Sequence, residues 1–157
     1  MSSPQVVTGQ TPSKPLDDPT PMPAHIPKVK ELGVTSGPLK SAAFFIGAYC
    51  KEYNEDFMLC KAEDRSPEHC LAEGRKVTRC AQDLISKMRE NCFAEWNKHW
   101  DCLENHNQEY YRCREVERPL NKCMFEKLGL MKTIPGAPEG EVPIHEKLNP
   151  IHKRQQK

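Results

Sequence analysis

The sequence has few of the features that mark membrane spans or nucleic-acid-binding proteins. The longest apolar run is the eight residues from Ala42 to Tyr49, whereas a transmembrane helix needs about 20 residues. Charge is balanced, with 23 basic and 22 acidic residues and a net charge of +1. Electrostatics therefore indicates neither nucleic acid nor an anionic surface as a partner. We expect no transmembrane helix and no nucleic-acid partner.

Motifs that carry catalysis are also lacking. No glycine-rich phosphate loop occurs, and no paired carboxylates or serine–histidine set stands out from the charged residues. A thiol oxidoreductase is the main enzymatic alternative, but the sequence has no Cys-x-x-Cys pair, and iron–sulfur clusters also need short cysteine spacings. We predict that the protein is not an enzyme and has no cofactor.

The first residues contain neither of two common targeting signals. An apolar segment of the kind found in secretory signal peptides is missing. A cleaved mitochondrial presequence is rich in arginine and poor in acid, whereas residues 1–40 contain no arginine and include Asp17 and Asp18. We expect neither signal to be present.

Eight regularly spaced cysteines are the most informative feature that the sequence does contain. They form four Cys-x9-Cys units, and the first two units recur in the last two with offsets of 42 and 43 residues. The same four-cysteine module therefore occurs twice in the chain. The units are Cys50/Cys60, Cys70/Cys80, Cys92/Cys102 and Cys113/Cys123.

Helix geometry limits which cysteines can pair. Ten residues of α-helix rise about 15 Å, whereas the Cα atoms of a disulfide lie within about 7 Å, so the two cysteines of one unit cannot bond. In an antiparallel helical hairpin, the cysteines beside the turn face each other, and ten residues outward on both arms a second pair meets. The predicted disulfides are nested pairs, with Cys60–Cys70 beside the turn and Cys50–Cys80 ten residues further along the first hairpin, and Cys102–Cys113 and Cys92–Cys123 in the same arrangement in the second.

Metal binding is the alternative use of these cysteines. Structural zinc sites commonly use Cys-x2–4-Cys spacing, but no two cysteines here are closer than ten positions, and no adjacent Cys-Cys pair suits a copper carrier. His69 and His99 offer nitrogen ligands, but we interpret them as partly exposed side chains on charged helices. We predict structural disulfides and no metal. Disulfides need an oxidising compartment, and without an export signal the mitochondrial intermembrane space fits best.

The spacing of apolar residues supports the hairpins. Cys50, Tyr53, Phe57 and Cys60 lie at i, i+3, i+7 and i+10, which is one stripe of a helix. Such a stripe forms either a partner-binding groove or the inside of the hairpin, and we favour the inside.

Helix boundaries follow from local signals. Ser66-Pro67-Glu68 predicts a helix start near residue 67. Asn91 marks a break between the modules, and Leu128-Gly129 a helix end. Pro119 removes one hydrogen bond within the last helix, so we expect a kink or a short break there.

The chain divides into four segments. Residues 1–40 hold eight of the 14 prolines, a density that excludes regular helix or sheet. The fold class predicted is all-α, with two consecutive disulfide-stapled helical hairpins and extended proline-rich arms at both ends. The segments are an arm at 1–38, the first hairpin at 39–90, the second hairpin at 91–130, and a C-terminal arm at 131–157.

The doubled Cys-x9-Cys module resembles the coiled-coil-helix–coiled-coil-helix (CHCH) proteins of the mitochondrial intermembrane space, which share the nested disulfides. Within them, residues 39–130 resemble the PGIV-type accessory subunits of respiratory complex I, the NADH:ubiquinone oxidoreductase. The matching stretches are Leu39-Lys40-Ser41-Ala42-Ala43, Asp56-Phe57-Met58-Leu59-Cys60-Lys61, Cys70-Leu71-Ala72-Glu73-Gly74-Arg75-Lys76-Val77 and Lys127-Leu128-Gly129.

This resemblance implies a non-catalytic structural clamp on the intermembrane-space side of the membrane arm, peripheral to the inner membrane and needed for assembly or stability. It implies other complex I subunits as partners, and a disulfide relay oxidoreductase as a partner during import. Phe57 near Cys60, or Phe45 and Ile46 near Cys50, could present an apolar face to that oxidoreductase. The alternative is a soluble assembly factor or copper chaperone for cytochrome c oxidase.

Overall fold

The structure is a computed structural model that describes residues 32–147. These residues form five α-helices and one short 3-10 helix, and none of them lies in a strand. The all-α prediction is confirmed. The helices are α1 (Ser36–Tyr49), α2 (Lys51–Glu63), α3 (Leu71–Asn91), α4 (Phe93–Asn105) and α5 (Arg114–Leu128), and the 3-10 helix Tyr110–Cys113 precedes α5.

Each cysteine module is a pair of adjacent helices. Helix α2 packs on the first half of α3, and α4 packs on α5. Helix α1, which precedes the first module, makes its most extensive contacts with α4 of the second module. The two hairpins therefore lie against each other through α1 and the second half of α3.

A single apolar core is shared by the two modules. Ala42 and Phe45 of α1, Leu84 and Met88 of α3, and Trp96 of α4 lie in one cluster that α5 completes. The indole Nε1 of Trp96 donates a hydrogen bond to the backbone oxygen of Pro38 at 3.3 Å, which ties the start of α1 to the second hairpin. By contrast, α2 contains no buried residue, so the outer end of the first hairpin stands away from this core.

Two of the predicted helix ends are confirmed. Helix α3 ends at Asn91 and α4 begins at Phe93, with Cys92 as the junction. Helix α5 ends at Leu128, and Gly129 takes a left-handed conformation with φ of 66°. The N–H of Gly129 donates to the backbone oxygen of Phe125 at 3.1 Å, which closes the helix end as this type of glycine cap requires.

The predicted start of the second helix near residue 67 is wrong. Helix α3 begins at Leu71, and the four preceding residues form a turn. Ser66 does not cap a helix because its own N–H and hydroxyl both donate to Asp64, at 2.9 and 3.2 Å. These bonds hold the chain in a local turn, which is a common alternative to capping for such side chains.

The break expected at Pro119 is also absent, because α5 continues through it. Pro119 lies only five residues after the first residue of α5, and its side chain is exposed. The missing N–H would have bonded Glu115 in the first turn, and Glu115 is itself exposed. Water can therefore satisfy the freed oxygen, and the helix continues without a break.

The boundaries of the arms differ in detail from the sequence-based segments. Helix α1 begins at Ser36, inside the segment assigned to the first arm. Residues 131–147 contain turns and no helix, yet Lys132 and His145 within them are buried. The rest of the two predicted arms, 1–31 and 148–157, lies outside the described residues. Within 32–147, no helix is long and apolar enough to cross a membrane.

Candidate functional site

Four disulfides link the helices, and they join the cysteines in nested pairs. Their Cα atoms are 5.9 or 6.0 Å apart, as disulfide geometry requires. No described cysteine is free, and all eight cysteines of the sequence are described. The pairs are Cys50–Cys80, Cys60–Cys70, Cys92–Cys123 and Cys102–Cys113, the same four that the hairpin geometry predicts.

The disulfides occupy two different environments. The inner bridges, which close loops of 30 and 31 residues, start at Cys50 and Cys92, and both of these cysteines are fully buried. The outer bridges close loops of 10 and 11 residues at the hairpin tips, where Cys60 and Cys102 are partly exposed. The inner bridge Cys92–Cys123 therefore belongs to the shared core, Cys50–Cys80 joins α2 to α3 beside it, and the outer bridges hold the tips.

A histidine accompanies each outer bridge. At the first tip, His69 is exposed, and its Nε2 lies 3.4 Å from the carboxylate of Glu63. At the second tip, His106 Nδ1 lies 2.8 Å from the backbone oxygen of Cys102 and 3.6 Å from the Cys102 sulfur. The sequence analysis singled out His69, but it did not identify His106.

The second hairpin contains a buried ion pair that sequence analysis missed. Glu117 of α5 is 1% exposed, and its carboxylate accepts hydrogen bonds from Arg114 at 2.6 Å and from Lys132. The Lys132 side chain is itself 2% exposed. Arg114 and Glu117 meet because they are three residues apart on one helix face. Lys132 arrives from the segment after α5, so no helical pattern could have indicated it.

Two aromatic rings enclose the Lys132 ammonium. Its Nζ lies 4.8 Å from the centroids of both Phe44 and Tyr110, within the range of cation–π attraction. Burial, together with the nearby Glu117 charge, raises the pKa of Tyr110 to about 12. The cluster thus links α1, the 3-10 helix, α5 and the segment after α5.

At Glu117 and at Lys132, burial and the neighbouring opposite charge shift the pKa in opposite directions. Burial alone would raise the pKa of Glu117, but the charge and hydrogen bonds of Lys132 and Arg114 outweigh it, so the pKa falls below its ordinary value. Burial lowers the pKa of Lys132, and Glu117 opposes that change. Because the Glu117 carboxylate accepts from two cationic donors, its ionised form is the one that the site stabilises.

His99 lies beside this cluster and is fully buried, so its interpretation as a partly exposed side chain is wrong. Its Nδ1 is 2.6 Å from the hydroxyl of Ser41, and its ring stacks on Tyr110 at a centroid distance of 6.2 Å. Its Nε2 has no hydrogen-bond partner among the described residues. Burial is the main cause that lowers the pKa of His99 to about 4. The charges of Lys132 and Arg114 act in the same direction, and the negative charge of Glu117 opposes them. The side chain is therefore neutral at pH 7, and it packs as part of the core.

The His99 pKa predicts that the fold loses stability in mild acid. The ordinary pKa of 6.5 applies to the unfolded chain, and the folded value is about 4. Because the unfolded chain takes up the proton more readily, the free energy of unfolding falls as pH drops from 6.5 to 4, by about 3 kcal/mol at most from this group. Replacing His99 with Gln should flatten this pH dependence, measured as the urea midpoint between pH 4 and 7.

His106→Gln is the matched control for that measurement, because His106 is exposed and its replacement should leave the pH dependence unchanged. His145, whose pKa burial also lowers, accounts for a residual slope in both variants. Equal pH profiles for His99→Gln and the parent chain would contradict the assignment.

Large apolar side chains are exposed at several places on the surface, and two pairs of them are neighbours on or beside a helix. Met58 and Leu59 on α2 are 65% and 68% exposed. Phe125 and Met131, at 55% and 64%, border a groove of 340 Å³ near Arg118. Contiguous exposed apolar side chains are the kind of surface on which partner proteins bind, so these two pairs are candidate contact surfaces.

The chemistry available to these groups is structural. Glu117 pairs with Arg114 and Lys132, Ser41 pairs with His99, and the described cysteines are all oxidised. The arrangement can hold helices and a following segment together, and it presents apolar contact surfaces.

Comparison with known proteins identifies the family to which this chain belongs. The chain is 54% identical over 132 residues to the NADH-ubiquinone oxidoreductase 20.8 kDa subunit of Neurospora crassa, and the match covers 83% of this chain and 72% of that protein. The chain belongs to the family of this subunit. The resemblance to PGIV-type complex I subunits is thereby confirmed.

Plant relatives support the same family. The chain is 34% identical over 88 residues to NADH dehydrogenase (ubiquinone) 1 alpha subcomplex subunit 8-A of Arabidopsis thaliana, over 56% of this chain and 82% of that protein. Subunit 8-B of the same plant matches at 34% identity over 88 residues. No protein-family model matches the chain.

Proposed function

We propose that the chain is a non-catalytic accessory subunit of mitochondrial complex I. The observation that carries this proposal is the 54% identity to a complex I subunit over most of the chain. Its family and its all-helical, disulfide-linked structure fit a structural component. We place it at the mitochondrial inner membrane, peripheral to the bilayer and on the intermembrane-space side, where disulfides persist.

The role we assign to it is that of a clamp among neighbouring subunits, needed for assembly or stability of the membrane arm. A clamp needs a rigid frame and exposed contact surfaces. The four disulfides and the shared core supply the frame. The exposed pairs Met58/Leu59 and Phe125/Met131 supply contact surfaces on α2 and beside α5.

We further propose that all four nested pairs form in the protein after import. A disulfide relay oxidoreductase would form them, starting from a mixed disulfide with one cysteine next to an apolar helix face. Phe57, near Cys60, packs against Gly74 in the folded hairpin, and Phe45, near Cys50, is fully buried. These faces are therefore accessible to the oxidoreductase only before the hairpins close. Peptide mapping of unreduced protein should recover the four pairs.

The test of the function is co-migration with complex I. Mitochondrial membranes solubilised in mild detergent are separated on a native gel, stained in the gel for NADH dehydrogenase activity, and probed for this chain. We expect the chain in the stained band. A chain that is found only free, or with cytochrome c oxidase, would refute the proposal and favour the assembly factor or copper chaperone.

A surface variant makes this test specific to the contact surface. Met58→Ser with Leu59→Ser should reduce the amount of chain in the complex I band, because it removes exposed apolar area without opening the core. Asp56→Asn on the same helix is the matched control and should leave incorporation unchanged, because Asp56 is exposed but does not line the groove formed by Met58 and Leu59.

A further inference from the structure

The two hairpin tips have the same set of chemical groups, two cysteine sulfurs and one imidazole. The sets are Cys60, His69 and Cys70 at the first tip, and Cys102, His106 and Cys113 at the second. Within each set, all three potential ligand atoms lie within 4.8 Å of one another. Among residues 32–147, no other group of three such side chains comes this close. The inner disulfides thus have no such histidine, and the feature belongs to the tips.

The second tip shows the convergence directly. His106 Nδ1 lies 3.6 Å from the sulfur of Cys102 and 4.0 Å from that of Cys113. At the first tip, the imidazole of His69 has a carboxylate, Glu63, 3.4 Å from its Nε2. A carboxylate on the second nitrogen of a ligating imidazole orients the ring and raises its basicity.

Oxidation state decides what these groups can bind. In the disulfide, the two sulfurs bond each other and neither is a thiolate. A dithiol or phosphine reductant converts the bridge into two thiols. Loss of both protons then leaves two thiolates beside a neutral imidazole, which is a donor set that zinc prefers. At the second tip, His106 Nδ1 gives up its hydrogen bond to the Cys102 carbonyl oxygen and its proton moves to Nε2, so that Nδ1 can bind the ion. The Cα atoms, 6.0 Å apart at both tips, leave room for an ion about 2.3 Å from each sulfur.

We propose that each hairpin tip of the reduced chain binds one zinc ion through its two cysteine thiolates and its histidine, with water as the fourth ligand. Zinc binding releases two protons per tip. Attack of one thiolate on the disulfide of an oxidant forms a mixed disulfide, which the second thiolate resolves. The products are the tip disulfide, the oxidant's two thiols after uptake of two protons, and free zinc. Metal and disulfide are therefore mutually exclusive at each tip.

The consequence is a protective role before oxidation. A reduced chain has eight thiols that react with each other without order, and zinc withholds four of them. The tip ligands lie within stretches of only 11 and 12 residues, 60–70 and 102–113, so they can assemble without the shared core. The zinc-bound tips would preset the two hairpin turns, and the inner cysteines would pair first.

The test uses the full chain with Cys50, Cys80, Cys92 and Cys123 replaced by Ser, so that only the four tip thiols remain. After reduction with a phosphine, which contributes no competing thiol, zinc is titrated against a chromogenic chelator. We expect two zinc ions per chain, and cobalt in place of zinc should show the absorption of a tetrahedral thiolate site. A stoichiometry below two, or an octahedral cobalt spectrum, would overturn the proposal.

Histidine variants separate this site from general binding by thiols. His69→Ala and His106→Ala should each weaken one of the two sites by about 100-fold, because loss of a ligand costs at least as much as loss of its supporting partner. His99→Ala is the matched control and should leave both affinities unchanged, since His99 lies in the core. The unreduced parent chain should bind no zinc at the tips. Equal affinity in the variants at positions 69 and 106 and in the control, or tip binding by the unreduced chain, would refute the proposal.

Discussion

Full reduction of the four disulfides is expected to remove most of the helical signal in far-ultraviolet circular dichroism, measured at neutral pH without zinc. Four bridges close loops of 10, 11, 30 and 31 residues. Each stabilises the fold by roughly 3 kcal/mol in the chain-entropy model, and by less when one loop lies inside another. Their combined contribution is comparable to the total stability of ~5–15 kcal/mol that a domain typically has.

The effect should differ between the two parts of the molecule. Helix α2 has no buried residue, so it depends most on its bridges and should unfold most completely. Replacing Cys50 and Cys80 with Ser should lower the urea midpoint more than replacing Cys60 and Cys70, because the longer loop constrains the unfolded chain more. An unchanged spectrum after verified reduction of all eight cysteines would show that packing alone maintains the helices.

Replacing Glu117 with Ala should lower the free energy of unfolding by about 3–5 kcal/mol. The substitution leaves the Lys132 ammonium buried without its carboxylate, since the remaining contacts are the two aromatic rings. The segment after α5 should then detach from the second hairpin, because Lys132 is its main polar anchor there. Urea unfolding with the disulfides intact measures the loss.

Two further variants test the cause of that loss. Glu126→Ala breaks the Lys122–Glu126 pair, which is exposed and 3.8 Å long, and should cost less than about 1 kcal/mol. The double variant Glu117→Leu with Lys132→Met removes both buried charges and should recover most of the lost stability, since apolar replacements of buried pairs are often neutral or better. Failure of the double variant to recover stability would point to packing, and not to the unpaired charge, as the cause.

Helix identity and cysteine geometry were accessible from sequence because both depend on local spacing. The repeat of ten residues between cysteines selects hairpins, and Gly129 ends a helix through its own backbone freedom. The start of α3 was not accessible, because Asp64 competes for the polar groups of Ser66. The short break expected at Pro119 is absent, because the effect of a proline on helix continuity depends on its distance from the helix start and on solvent exposure, neither of which cysteine spacing reveals.

The buried polar cluster could not have been predicted at all from periodicity. Its members come from four separate segments, and Lys132 lies beyond the last helix in a stretch without regular structure. His99 could have been suspected, since it falls on the same helical stripe as Trp96 and Leu103, both of which are buried. Its charge environment, however, is set by Glu117 and Lys132, which tertiary packing brings to it.

The placement of α1 against α4 makes the two modules depend on each other for a buried core. Phe45 comes from α1, which precedes the first module, and Trp96 comes from α4 of the second module. Both side chains lie in the same apolar core. Removing either module would expose the other module's part of that core to water, so we expect neither module to fold stably alone. The two modules therefore form a single folding unit, although each has its own nested set of cysteines.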